Sequence, residues 1–236
     1  MAQGADRGIM SEELKPPYIS KIEDLGDFEV WLVNGSYIRS HMDIEFTNIG
    51  QHFRFNFIPE KEFWIDQGYD HNEYNFFIDH LLIEHKLMAK GMPYDRALIE
   101  ADRVERRERH RADVGKIARK QLPNINIIHE RLWKKLENGL EIWIVRGRLV
   151  RAVDVDFTIG GHDYVYEYIP EGEVWIDNTL EESERKYALL HELHERNRMA
   201  EGMTYNQAHA EASRLELRYR HHPDELHEAL RAEGWA

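Results

Sequence analysis

The sequence predicts an α+β protein in which one small domain is written twice. Three observations carry that expectation. Residues from about Tyr18 to Pro123 recur from about Ile127 to the C-terminus, and the best-matched stretch keeps a constant offset of 111 positions, His80 to His191. In each copy the period-two alternation comes first and the helical pattern follows, so strands precede helices. The 236 residues are 42% hydrophobic, which supports real cores. The repeat is exact at Ile58-Pro59-Glu60 and Trp64-Ile65-Asp66, which return as Ile169-Pro170-Glu171 and Trp175-Ile176-Asp177. A period near 110 is too long for a solenoid and suits a duplicated domain.

Taken in order, residues 1–17 are polar, hold Gly4, Gly8 and Pro16-Pro17, and read as a flexible arm. Copy one spans 18–123. Phe28–Val33 reads as a strand ending at the turn dipeptide Asn34-Gly35. Asp43–Thr47 and Phe53–Phe57 alternate with period two and read as further strands. Pro59 interrupts, and Glu62–Asp66 reads as the last strand of an antiparallel sheet. Copy two, 124–236, repeats this as Leu140–Val145, Arg146-Gly147, Val153–Thr158, Tyr164–Tyr168 and Val174–Asp177.

Two to three helices follow in each copy. In copy two the first runs from about Glu181 to Glu201 and stops at Gly202. The second starts at Thr204, an N-cap with Gln207 three residues on, and reaches about Tyr219. A third, Pro223–Glu233, opens with proline and acidic residues. The short link around Asn124 predicts two halves packed about a pseudo-twofold axis.

Composition narrows the function classes. A net charge of −13 argues against a nucleic-acid surface as the main role. Without cysteine there are no disulfides or thiolate metal sites. No run of about 18 apolar residues predicts a membrane span. The N-terminus lacks a secretory layout, so the expected compartment is the cytoplasm of a cell or an infected host, a virion-associated role included.

The informative helix reads Tyr187-Ala-Leu-Leu-His191-Glu192-Leu-His-Glu195-Arg196. Residues four apart share a helix face, so His191 and Glu195 can offer an imidazole and a carboxylate to one metal ion. Glu192 lies about 100° around the helix, positioned to reach a water there. The next helix offers His209 and Glu216 as further ligands, seven residues and two turns apart. Ala208 and Ala212 flank that face and permit close approach. Asp177, at a strand end, is a candidate supporting acceptor, and Tyr205 can place a hydroxyl near the site.

This segment resembles the zincin-type metallopeptidases, whose signature is H-E-x-x-H. The resemblance covers the strand Glu173–Asp177 and the helix carrying Leu190-His191-Glu192-Leu193. It implies His191 as a zinc ligand, Glu192 as general base, and a peptide or protein substrate. The departure is Glu195 where the family has its second histidine; a carboxylate also binds zinc. Copy one keeps His80, Glu84, Glu105 and Asp66, a possible degenerate second site. It has Leu81 opposite Glu192 and Leu98 opposite His209.

Other readings stand beside this one. The His–Glu–Glu sets can be self-satisfied hydrogen-bond clusters inside a structural or assembly protein, and a His–Glu pocket can take a small cationic ligand without metal. Trp64, Trp175, Met88, Met199, Tyr94 and Tyr205 read as core packing. The run Arg103–Arg111 reads as a solvated helix face with four-spaced ion pairs.

Overall fold

A computed structural model describes residues 15–112 and 125–235. The arm, up to residue 14, and the link around Asn124 lie outside the described residues. The first half runs β1 (Tyr18–Leu25), β2 (Phe28–Val33), α1 (Gly35–His41), β3 (Ile49–Gly50), β4 (Glu62–Asp66), α2 (Tyr74–Met88) and α3 (Tyr94–Arg111). The second repeats the order as β5 (His129–Lys135), β6 (Glu141–Val145), α4 (Gly147–Arg151), β7 (Gly160–His162), β8 (Glu173–Asp177), α5 (Glu182–Ala200) and α6 (Tyr205–His221). It then adds α7 (Leu226–Ala232). The α+β duplication is therefore observed, with Trp64 and Trp175 at equivalent places on β4 and β8.

The expected antiparallel sheet is corrected to a mixed one. Each half forms four strands in the order β1-β2-β4-β3 or β5-β6-β8-β7. The outer pairs are antiparallel, but β2 runs parallel to β4 and β6 to β8. A parallel neighbour needs a long crossover, and the chain from α1 to the start of β4 supplies it.

That crossover also explains the strands that do not form. Residues 43–47 and 53–57, with their counterparts 153–158 and 164–168, are turns and irregular chain. The Asp43 carboxylate accepts from the Glu45 N–H at 2.9 Å, and Phe55 N–H bonds the Gln51 carbonyl at 3.0 Å, closing local turns. The aromatics still turn inward. Val33, Ile38, Phe46, Phe55, Ile58 and Trp64 form one core on one face of the sheet. Val30, Phe63, Ile65, Phe77 and Leu81 form another beneath α2 on the opposite face. The alternation of Phe53–Phe57 thus records loop residues packing on a two-sided sheet, not a ladder.

Asn34-Gly35, expected as a turn, starts α1. Asn34 is its N-cap and accepts from Tyr37 N–H at 2.9 Å. A side chain at Gly35 would collide with the Asp66 carboxylate, and one at Gly147 with that of Asp177. The helices of the second half follow the sequence reading closely. Gly202 sits at φ 96, and the Gln207 side chain accepts from the Thr204 N–H at 3.3 Å.

The halves are joined through buried charge. Arg39 of the first half bonds Asp66 at 2.7 Å and Glu184 of the second half at 2.9 Å. Arg151 of the second half reciprocally bonds Glu73 of the first at 2.7 Å and its own Asp177. Each chain continues outward. Glu184 takes Arg220, which bonds Glu216 at 2.9 Å. Glu73 takes Arg109, which bonds Glu105 at 2.8 Å. Arg109 is fully buried, so the expected solvated face of Arg103–Arg111 is corrected there: position 109 turns inward to hold two carboxylates.

Candidate metal centre

The chain from Arg39 ends on His191. Glu216 Oε2 lies 3.0 Å from His191 Nδ1, while Glu216 Oε1 is held by Arg220. Both oxygens of Glu216 are therefore engaged behind the imidazole, and His191 turns Nε2 forward. There it meets His209 Nδ1 at 3.2 Å and Glu195 Oε2 at 3.6 Å. His209 Nδ1 lies 2.8 Å from the same Glu195 oxygen. The helix spacing that aligned His191 with Glu195 thus holds, and the close α5–α6 approach at the buried Ala208 and Ala212 brings in His209.

These three atoms lie close enough together to hold one metal ion. Ligand bonds of about 2.0–2.2 Å in a tetrahedron put ligand atoms about 3.3–3.6 Å apart; the observed edges are 2.8, 3.2 and 3.6 Å, the shortest at hydrogen-bond distance. The set fits zinc in donor type, two imidazole nitrogens and one carboxylate oxygen.

Each member has a partner behind it. Glu195 Oε1 lies 3.0 Å from His162 Nε2. His162 Nδ1 accepts from the Tyr164 N–H at 3.2 Å, and a backbone amide only donates. The His162 proton therefore sits on Nε2 and is given to Glu195. Although His162, Glu192 and Glu195 also bring ligand atoms within 4.8 Å of one another, that proton leaves His162 Nε2 no free lone pair. His209 Nε2 faces Glu45 Oε2 at 3.3 Å, and Glu45 Oε1 accepts from Ser213 at 2.9 Å.

Glu192 packs against β7, where a side chain at Gly160 would lie 3.0 Å from its Oε1. With His191, His209, Glu216 and Glu45 it lines a cavity of about 80 Å³ between the halves. Burial raises its carboxyl to about 7, against the pull of His191 and His162. Burial would raise Glu195 too, but hydrogen bonds from His162, His191 and His209 hold it well below the carboxylate range. The carboxylates Glu195 and Glu45 lift His209 to about 9. His191 is also raised: Glu195 and Glu216 outweigh its burial.

Of the remaining predicted residues, Tyr205 stacks on His209 with ring centroids 5.4 Å apart and is 44% exposed, so it is not core packing. Asp177 is a correction: its oxygens serve Arg151 and Thr179 in the buried junction, not the His–Glu triangle. His194 is tied to Glu233 beyond α7 at 2.7 Å.

In the first half His80 Nδ1 meets Glu105 at 2.8 Å and Nε2 lies 3.6 Å from Glu84. Gln51, equivalent to His162, donates to Glu84 Oε1 at 2.7 Å. Leu98 and Leu81 stand where the second half has His209 and Glu192. Tyr94, Asp102 and Asp156 complete a cavity of about 180 Å³.

Sequence reasoning did not single out His162, Glu45 or the buried arginines. The offset of 111 pairs His162 with Gln51, a donor for a donor, and Glu45 with Asp156, an acid for an acid. Those pairings were the available signal. Compared with protein-family models, curated proteins and solved structures, the chain matches none significantly.

Proposed function

We propose that the second half is a zinc-dependent hydrolase, with a peptide or protein substrate as the zincin resemblance implies. The observation that carries this reading is the triangle of His191 Nε2, His209 Nδ1 and Glu195 Oε2, with edges of 2.8–3.6 Å and a partner behind each member. Those three residues hold the metal. Glu216 and His162 orient His191 and Glu195, as acceptors and donors commonly do behind ligands. Zinc in such a site acidifies a water molecule and polarises the scissile carbonyl.

Glu192 takes the proton from the attacking water and passes it to the leaving amine. Burial pushes its carboxyl up to about 7, and a base near neutrality is the most effective kind. Leu81 makes that step impossible in the first half, and Leu98 removes the third ligand. The first half therefore serves as support.

A second reading has one observation in its favour. In the first half the corresponding His80–Glu105–Arg109 cluster is held together by its own hydrogen bonds and ion pairs. A purely structural or assembly protein would need no more than that in either half. Two measurements separate the readings. Protein purified without added metal is expected to carry zinc near one equivalent per chain by elemental analysis. Glu192→Gln should keep that zinc and lower cleavage of a mixed peptide library roughly 10²–10⁴-fold. Equal cleavage by variant and wild type excludes Glu192 as base; absence of both zinc and cleavage leaves the structural reading.

A further inference from the structure

We infer that Glu45, contributed by the first half, is a positioning residue that fixes the ring and tautomer of His209 and so completes the metal centre of the second half. The inference rests on the proposed zinc site and adds a cross-half requirement to it.

An imidazole offers two nitrogens, and a metal needs the lone pair of one of them. The other must then carry the proton and give it to an acceptor. For His191 that acceptor lies within its own half, Glu216, locked by Arg220. For His209 it does not. His209 sits on the outer helix α6 with its side chain 33% exposed. Its Nδ1 points into the triangle, and its Nε2 faces Glu45 Oε2 at 3.3 Å.

Glu45 is itself held in place. Ser213, one turn beyond His209 on α6, donates to its other oxygen at 2.9 Å. Its own backbone N–H is fixed by Asp43 at 2.9 Å. The carboxylate therefore bridges one turn of α6 and presents one oxygen to the imidazole.

Glu45 is not a fourth ligand in this arrangement. Its near oxygen addresses the nitrogen of His209 that faces away from the triangle. An acceptor, not a charge, is what His209 requires. A glutamine carbonyl can meet that requirement; an alanine cannot.

The test uses the full chain and Zn²⁺ in competition with a colorimetric chelator, with thermal melting alongside. Glu45→Ala is expected to weaken zinc about 10–100-fold, the usual effect of removing a ligand's outer partner. Glu45→Gln should stay within a few-fold of wild type. Ser213→Ala, which leaves the carboxylate in place but frees it to swing, should fall between them. A merely structural Glu45 would lower melting in Glu45→Ala and leave zinc affinity unchanged, which overturns the inference. A ligand or charge role would make Glu45→Gln as weak as Glu45→Ala, which also overturns it. Wild type that binds no zinc removes the proposed site and this inference together, whereas strong wild-type binding with three unaffected variants removes the inference alone.

Discussion

In the second half, His209 on α6 faces His191 across the helix pair, and Glu192 stands beside them. In the first half the same two places on α3 and α2 hold Leu98 and Leu81. Behind these positions the halves are nearly the same. His, Glu, Arg, Glu, Arg and Asp follow one another from His191 to Asp66 and, in the same order, from His80 to Asp177. Buried polar groups must be satisfied wherever they occur. What the two copies keep is therefore largely the framework that holds a histidine still, and what they do not share marks where one half does more.

The largest expected contrast comes from the matched histidines. His191→Ala should abolish zinc binding and cleavage together, while His80→Ala should leave both in place and lower stability. Elemental analysis and cleavage assays on the two variants decide it. Loss of zinc in His80→Ala would move the site to the first half.

The shared framework predicts the opposite, symmetry. Arg39→Met and Arg151→Met each remove one partner from a buried cross-half network, a change that costs about 3–5 kcal/mol. Urea denaturation should find the two losses alike, and a loss confined to one arginine would break the equivalence. Acid sensitivity belongs to the same contact. Burial would raise Glu184, but Arg220 and Arg39 hold its carboxyl at about 2. Its folded-state value is lowered, so its stabilisation is present above the ordinary carboxylate range and fades as the pH falls toward 2. Arg39→Met should flatten that fall in a series of melts.

A smaller and sharper effect is a gain. Leu98 lines the first-half cavity beside His80 and Glu84. Leu98→His restores the third donor, and zinc stoichiometry should rise from near one toward two. Stoichiometry unchanged at saturating zinc would mean that the framework alone does not set ligand geometry.

The sequence made the site partly legible. Helical spacing brought out His191, Glu195, His209 and Glu216, because faces of paired helices follow from residue number. It did not separate ligand from support: Glu216 and Glu195 are both one or two turns from a histidine, and only the packing of α6 on α5 puts Glu216 behind the ring. His162 escaped because a three-residue strand has too little periodicity to register. Glu45 escaped because its contact spans 164 positions, and Arg39, Arg109 and Arg151 because charged side chains are ordinarily exposed. The strand-then-helix order was legible from patterning, whereas the parallel pairing of β2 with β4 depends on where a long crossover returns, which alternation does not encode.

The reciprocal contacts of Arg39 with Glu184 and Arg151 with Glu73 have an evolutionary reading. They are the contacts an isologous homodimer makes, residue i to j and j to i. In such a dimer every substitution appears in both sites, so neither site can be relieved of its chemistry while the other keeps it. Joined end to end in one gene, the two subunits acquire separate histories. Leu81, Leu98 and Gln51, against Glu192, His209 and His162, are differences that two identical subunits cannot hold and one fused chain can.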